Sequence, residues 1–182
     1  MSEFSDPDKN IAHLQLKDGM QVADFGAGSG FYSISASRRV GARGKIYAIE
    51  IQKDLLEKLK AHAVREHCNN IEVVWGNLDS SGGSRLRDAS MDAVIISNVL
   101  FQAEMKDVLV GEAFRVLKVG GKALLIDWAD SFNNLGPKAE HVVREAVARE
   151  YFVAAGFKFI EGFEAGEHHY ADVFIKEQDN KK

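Results

Sequence analysis

The chain has 182 residues, 46% of them hydrophobic, and 23 Lys and Arg against 27 Asp and Glu. A net charge of −4 gives no electrostatic basis for binding nucleic acid or an acidic membrane, and the single cysteine, Cys68, excludes an internal disulfide or a multi-cysteine metal site. The first thirty residues contain no apolar run of signal-peptide or transmembrane type, so we expect a cytoplasmic protein with one domain over residues 1–182, frayed at 1–10 and 177–182.

Short apolar runs alternate with helical patterns along most of the chain, which predicts βαβ units around a largely parallel sheet. Gly41 is predicted to end the first helix, and Gly120 with Gly121 the third. The predicted helices cover residues 31–41, 52–68 and 103–118. The predicted strands cover residues 20–25, 45–50, 71–76, 91–98 and 122–128.

The last quarter of the chain breaks this alternation. A helix is predicted to begin near Pro137 and to run to about residue 156. Two strand patterns then follow one another directly, at residues 157–164 and 168–176, joined by a short turn. An antiparallel hairpin at one edge of the sheet is therefore expected.

The stretch VADFGAGSGFYS, residues 22–33, places three glycines directly after the first predicted strand. Gly26, Gly28 and Gly30 permit unusual backbone angles and let a cofactor approach the turn before a helix. Their spacing is G-x-G-x-G rather than the G-x-G-x-x-G of dinucleotide sites. Asp24 beside them would repel a pyrophosphate and could hold an ammonium group.

Glu50 ends the second predicted strand. A carboxylate at that position can accept hydrogen bonds from both hydroxyls of a ribose. Together with Asp24 and the glycine turn, it indicates a ligand that joins an adenosine to a cationic amino-acid tail. S-adenosylmethionine has this chemistry.

The sequence resembles the class I S-adenosylmethionine-dependent methyltransferases, near the small ubiquinone and menaquinone C-methyltransferase type. The resemblance covers about residues 4–176 and rests on VADFGAGSGFYS, IYAIEIQKDLLEKLK, VVWGNLD, DAVIISNVLFQ and AFRVLKVGGKALLIDW in that order. It implies an α/β, Rossmann-like, doubly wound sheet of seven mostly parallel strands with an antiparallel last strand, in the order 3-2-1-4-5-7-6.

The resemblance also implies the cofactor site. Asp24 and the glycine backbone would face the methionine end, Glu50 the ribose, and Asn77 with Leu78 the adenine, although the family usually has Asp at the position of Asn77. Asn98 would lie beside the transferred methyl group. The implied cofactor-binding residues are Asp24, Gly26, Ala27, Gly28, Gly30, Glu50, Ile51, Asn77, Leu78 and Asn98.

A catalytic base is not evident, and the candidates are Asn98, His168 and His169. The two histidines lie in the predicted hairpin turn, which would overlook the glycine turn, and one of them could act as a general base. The alternative is a solvated turn. A metal site is disfavoured because adjacent residues of a strand point to opposite faces.

The sequence therefore predicts methyl transfer from S-adenosylmethionine to a small-molecule acceptor, with no nucleic acid or membrane partner. Arsenic is excluded as acceptor because one cysteine cannot supply the thiolates that hold it. An RNA or protein methyltransferase, a non-catalytic S-adenosylmethionine-binding regulator and an NAD-dependent oxidoreductase remain as alternatives. The acceptor and the oligomeric state are not encoded in any recognisable pattern.

Overall fold

The computed structural model describes residues 5–132 and 136–178, which form one seven-stranded sheet with helices on both faces. The strands are β1 (Gln21–Phe25), β2 (Lys45–Glu50), β3 (Ile71–Trp75), β4 (Met91–Ser97), β5 (Leu117–Trp128), β6 (Phe157–Gly166) and β7 (His169–Lys176). The α-helices are α1 (Pro7–Asn10), α2 (Phe31–Val40), α3 (Lys53–Arg65), α4 (Lys106–Val116) and α5 (Glu145–Ala154), with 3-10 turns at Ile11–Leu14 and Ala139–His141.

The strand order is β3-β2-β1-β4-β5-β7-β6, which confirms the predicted fold class. The first five strands are parallel to one another, and β7 is antiparallel to both β5 and β6. The strand order reverses between β1 and β4, so the helices that follow them, α2 and α4, lie on opposite faces of the sheet and leave a crevice at the carboxyl ends of these strands. Ligands of open α/β sheets bind at such a switch point.

The core lies on both faces of the sheet because the central strands bury the side chains that point either way. On one face, Phe25 and Ile96 pack with α4 and α5. On the other, Val22 and Ile95 pack with α2 and the 3-10 turn at Ile11–Leu14. This two-sided burial explains why the strands read as continuous apolar runs.

Two predicted boundaries in the second half are wrong. The helix predicted at 103–118 ends at Val116, and β5 begins at Leu117 instead of residue 122, because Leu117 is extended and pairs with Met91 before the register shifts. Gly120, at φ +80°, therefore lies within β5 at this irregularity and does not cap a helix.

The helix predicted to begin near Pro137 begins only at Glu145. A 3-10 turn is followed by extended residues at Val142 and Arg144. Val143 is buried in the core, and its carbonyl accepts a hydrogen bond from the Tyr170 hydroxyl at 3.0 Å. This tertiary contact uses the carbonyl that a helix would need.

Within the segment that was expected to fray, Pro7–Asn10 form the helix α1. Asp6 caps α1 by accepting hydrogen bonds from the amides of Asp8 and Lys9, and the Asn10 side chain is buried. Residues 1–4 and 179–182 lie outside the described part of the chain. In the ranges that the structure describes, none of the helices is long and apolar enough to cross a membrane.

Candidate functional site

A cavity of about 1080 Å³ opens at the carboxyl ends of the parallel strands, where the strand order reverses between β1 and β4. Such a volume slightly exceeds that of ordinary ligand pockets, about 300–1,000 Å³. Ten of the residues predicted for the site line it: Asp24, Gly26, Ala27, Gly28, Glu50, Ile51, Asn77, Leu78, Asn98 and His169. Gly30 and His168 do not line it.

The Glu50 carboxylate, only 6% exposed, organises the turn that faces the cavity. Its Oε2 accepts a hydrogen bond from the Gly28 amide at 3.0 Å, and its Oε1 accepts from the amides of Ile51 and Gln52, both at 2.9 Å. A carboxylate offers about four acceptor positions. Three are occupied within the protein, and Glu50 retains capacity for a ligand hydroxyl.

Asp24 lies at the end of β1 and is buried within the same cavity wall. The Ser33 hydroxyl donates a hydrogen bond to its Oδ2 at 2.6 Å. Burial raises the pKa of this carboxyl to about 6, although the bond from Ser33 opposes the shift. A buried carboxylate that is expensive to ionise gains from a cation placed beside it, which is the property that an ammonium-binding site requires.

The three glycines of the turn have different neighbours. All three adopt positive φ, but an added Cβ would strike the Val99 side chain at Gly26 and would lie 2.9 Å from Leu59 Cγ at Gly30. At Gly28 nothing lies within 4 Å. Gly26 and Gly30 are therefore required by packing as well as by φ, whereas Gly28 keeps open space at the cavity.

The turn after β3 forms the wall where the sequence indicated adenine contacts. Leu78 is buried, and Asn77 Oδ1 accepts a hydrogen bond from the Asp79 amide at 3.1 Å. Asp79 Oδ1 in turn accepts from the Met105 amide at 2.9 Å. Asn77 thus shapes its own turn, and its side-chain oxygen is already used in the protein.

A buried carboxylate holds the glycine-rich loop that continues from this turn. Glu112 of α4 accepts hydrogen bonds from the Gly82 and Ser84 amides, both at 3.1 Å, and from Arg115. Burial alone would raise the pKa of Glu112, but the bonds from Arg115 and Ser84 hold it below its ordinary value. The anchor lies 30 positions from Gly82 in the sequence, a pairing that no local pattern indicates.

The opposite wall of the cavity is aromatic. The rings of Trp128 and His169 lie 4.2 Å apart between centroids, at the ends of β5 and β7 that meet in the sheet. Tyr32 lines the cavity from α2, and its hydroxyl is 2.6 Å from Ser5 Oγ and 2.9 Å from Asn10 Nδ2. The segment before α1 therefore closes one side of the cavity, a contribution that the sequence did not reveal.

Asn98 occupies the point where the two walls meet, directly after β4. It adopts the left-handed conformation, φ +57°, and its backbone carbonyl accepts a hydrogen bond from Gln102 Nε2 at 2.7 Å. Its side-chain Oδ1 is buried and has no hydrogen-bond partner among the described residues. A buried acceptor of this kind in a cavity wall is consistent with a ligand-facing position.

His168 lies outside the cavity wall. Its Nδ1 is 2.9 Å from Asp130 Oδ1, and its ring stacks on Phe132 at 4.0 Å between centroids. The hydrogen bond from the Ala129 amide to the His168 carbonyl, at 2.8 Å, joins the hairpin turn to the end of β5. His169 is the histidine of the pair that reaches the cavity.

Asp127 supports the site from behind, a role that sequence reasoning missed. Its Oδ2 accepts a hydrogen bond from the Phe101 amide at 3.0 Å and its Oδ1 accepts from the Trp128 amide at 2.8 Å. Burial raises the pKa of this carboxyl to about 6. A carboxylate inside the apolar run KALLIDW was the available signal, since such a group needs hydrogen-bond donors.

Comparisons with known proteins agree on the family. A family model described as a methyltransferase domain matches residues 16–164. An arsenite methyltransferase from Aquipseudomonas alcaligenes is 31% identical over 116 residues, 62% of this chain and 34% of that protein. The ubiquinone/menaquinone biosynthesis C-methyltransferase UbiE of Xylella fastidiosa is 31% identical over 120 residues, 65% of this chain and 46% of that protein.

Among solved structures, a SAM dependent methyltransferase from Aquifex aeolicus superposes with a TM-score of 0.86 at 26% identity, covering 96% of this chain and 91% of that one. The strand order defines an α/β protein with a Rossmann-like fold. The chain belongs to the class I S-adenosylmethionine-dependent methyltransferases, a family whose cofactor is S-adenosylmethionine. It spans only about a third to a half of the two curated relatives just named.

Proposed function

We propose that the protein transfers the methyl group of S-adenosylmethionine to a small-molecule acceptor. The observation that carries the proposal is the pair of acidic side chains at adjacent strand ends, Asp24 and Glu50, on either side of a turn left open at Gly28. This arrangement suits a ligand with a ribose at one end and an ammonium group at the other.

The chain's own residues would hold the cofactor along the ends of β1, β2 and β3. Glu50 would accept a ribose hydroxyl with its remaining acceptor position, Asp24 would face the ammonium group, and Ile51 and Leu78 would enclose the adenine between apolar surfaces. Bound S-adenosylmethionine supplies an activated methyl group on a positively charged sulfur. The protein's task is then to align the acceptor and to exclude water, and alignment alone contributes about 7–11 kcal/mol in favourable cases.

The acceptor would occupy the second half of the cavity, between Tyr32, Asn98, Trp128 and His169. A small molecule is favoured over RNA or a protein because the site is a cavity with a net acidic surround and not an extended basic groove. Arsenite is disfavoured although a relative carries that name, because Cys68 is the only thiol of the chain and does not line the cavity.

Titration calorimetry with S-adenosylhomocysteine, the demethylated cofactor, tests the cofactor site. We expect Glu50→Ala to weaken binding at least tenfold, because the ribose hydroxyls lose a charged acceptor and the turn loses its brace. Glu50→Gln retains one acceptor oxygen, so its affinity should lie between those of the unmodified protein and Glu50→Ala.

Glu57→Ala is the matched control, since Glu57 is exposed on α3 and does not line the cavity. Unchanged affinity in Glu50→Ala would contradict the assigned ribose position. No binding of S-adenosylhomocysteine by the unmodified protein would contradict the proposed function. Binding without any methylated product from a metabolite extract would favour the regulatory alternative.

A further inference from the structure

The charged side chains of the cavity all have the same sign. Four carboxylates line it, from Asp6, Asp24, Glu50 and Asp79. No Lys or Arg lines it among the described residues. Outside the described ranges, the sequence has none in residues 1–4 or 133–135, and residues 179–182 contain Lys181 and Lys182. The cavity is therefore a region of negative potential, apart from any charge that a ligand brings.

The cofactor does not cancel this potential. S-adenosylmethionine carries a sulfonium, an ammonium and one carboxylate, a net charge of about +1, against four carboxylates in the wall. Once the methyl group has left, the sulfur is neutral and the cofactor has no net charge. The acceptor half of the cavity thus experiences a negative field before the reaction and a stronger one after it.

Neutral groups of the acceptor half also favour a cationic over an anionic ligand. The unpartnered Asn98 Oδ1 places the negative end of an amide dipole in the wall, and the aromatic side chains of Trp128 and Tyr32, of a type that attracts cations, line the same half. An anionic acceptor, such as a carboxylate, a phosphate ester or a phenolate, would meet repulsion with no cationic side chain to offset it.

On this basis we propose, resting on the methyltransferase function above, that the acceptor atom is an uncharged nitrogen of a weakly basic aromatic amine or nitrogen heterocycle. Its lone pair forms the new N–C bond while the C–S bond breaks and its electron pair passes to sulfur. The positive charge moves from sulfur to nitrogen, so the product is an N-methyl cation. If the nitrogen carries a hydrogen, the product can then lose a proton to water.

This chemistry suits the cavity for a further reason. A neutral nitrogen nucleophile needs no base before attack, whereas a phenol or an acidic C–H group reacts through its anion. The acidic wall disfavours such an anion and stabilises the cation that develops on nitrogen. The carboxylates and aromatic rings thus favour the transition state of nitrogen methylation over that of the alternatives.

The test measures binding to the protein saturated with S-adenosylhomocysteine, using three probes with one ring system and different charges. They are quinoline, 1-methylquinolinium and quinoline-4-carboxylate, titrated at pH 7.5 by calorimetry or Trp fluorescence. We expect 1-methylquinolinium to bind on the order of tenfold tighter than quinoline-4-carboxylate, a difference of about 1.4 kcal/mol, with quinoline between them. High salt should reduce the difference.

Two substitutions test whether residues of the cavity wall cause the preference for the cationic probe. Asp6→Asn removes a charge but keeps a residue that caps α1 equally well, and Asn98→Gly removes the amide while accepting φ +57°. Each should lower the ratio of cation to anion affinity severalfold. Asp54→Asn, on exposed α3 surface outside the cavity, should leave the ratio unchanged.

Equal or reversed affinities, or no binding of any probe to the loaded protein, would overturn the proposed nitrogen acceptor. A ratio that does not respond to either Asp6→Asn or Asn98→Gly would also overturn it. Failure of S-adenosylhomocysteine itself to bind is a separate result, which contradicts the methyltransferase function and not only the acceptor class.

Discussion

Two carboxylates at neighbouring strand ends have different environments in this protein. Glu50 is surrounded by three backbone amides that donate to it, whereas Asp24 has Ser33 as its only short side-chain donor among the described contacts and is fully enclosed. Enclosure disfavours the ionised form of Asp24 and raises its pKa to about 6. Glu50 is therefore suited to a structural and ribose-binding role, and Asp24 is suited to responding to a ligand's charge.

Cofactor binding should depend on pH through Asp24. A neutral Asp24 cannot attract an ammonium group, so affinity for S-adenosylmethionine should fall as the pH drops below the Asp24 pKa of about 6. We expect about a tenfold loss between pH 7 and pH 5, measured by calorimetry, and a much flatter profile in Asp24→Asn. A flat profile in the unmodified protein would contradict the assignment of Asp24 to the ammonium group.

The pH dependence of the stability of the unliganded protein should have the opposite sign: stability should rise as the pH falls. The folded pKa of Asp24 lies above the ordinary 3.8, so its contribution to stability is fully present below about pH 4 and is lost as the pH rises through 6. Asp24→Asn at pH 7 thus removes both a buried charge and the binding group. Affinity and stability are in conflict at this one residue.

The positions of Asp24 and Glu50 could be predicted because each follows directly from a strand end in the sequence. The hydrogen-bond partners of the other buried carboxylates could not be predicted. Asp127 contacts the Phe101 amide across 26 positions, and Glu112 contacts Gly82 across 30. Such pairings depend on how the loops cross above the sheet, which residue type and spacing do not encode.

At the scale of the element, the turn between β1 and α2 combines packing and binding requirements. Gly30 caps α2 in the left-handed conformation against Leu59 of α3, and Gly28 borders the cavity. The sequence assigned all three glycines of the turn to one purpose, the approach of a cofactor. Only the position of neighbouring side chains separates their roles.

Alanine substitutions should separate these roles experimentally. Gly28→Ala should cost about 1 kcal/mol of stability from its positive φ but weaken S-adenosylhomocysteine binding at least tenfold. Gly30→Ala should cost more, about 3 kcal/mol, because the Cβ also meets Leu59. Gly111→Ala in the helix α4 has free space and should be neutral or stabilising. Urea unfolding and calorimetry on all three give the comparison, and equal effects at Gly28 and Gly30 would contradict it.

β1, β2 and β4 were predicted to within one residue because their apolar runs are buried on both sides. β2 matches its prediction at both ends, whereas the predicted helix at 103–118 is shorter and α5 begins eight residues late. In each case a tertiary contact sets the boundary. The pairing of Leu117 with Met91 ends α4, and the hydrogen bond from Tyr170 to Val143 delays the start of α5. Helical periodicity alone does not register such contacts.

At the scale of the whole molecule, the sheet divides the site between its two halves. The ends of β1, β2 and β3 line the half of the cavity proposed for the cofactor, and the ends of β4 and β5 with the start of β7 line the half proposed for the acceptor. Both walls share one hydrogen-bonded sheet, so the predicted single domain requires them to unfold together.

Unfolding should therefore be a single transition. Fluorescence from Trp75 and Trp128, at the ends of β3 and β5, should follow the same urea curve as far-ultraviolet circular dichroism. S-adenosylhomocysteine at a hundred times its Kd should shift both curves together, adding about 2.7 kcal/mol to the free energy of unfolding. Separate transitions for the two signals would contradict the single-domain prediction.

The direction of β7 determines where a purification tag or fluorophore can be attached safely. Ser5 lines the cavity, so a label joined ahead of it would be tethered beside the opening. β7 instead runs away from the cavity, and Lys176 donates to the carbonyls of Phe114 and Leu117 at the opposite rim. At about 3.4 Å per residue, the seven steps from His169 to Lys176 place Lys176 about 24 Å from the cavity end of β7.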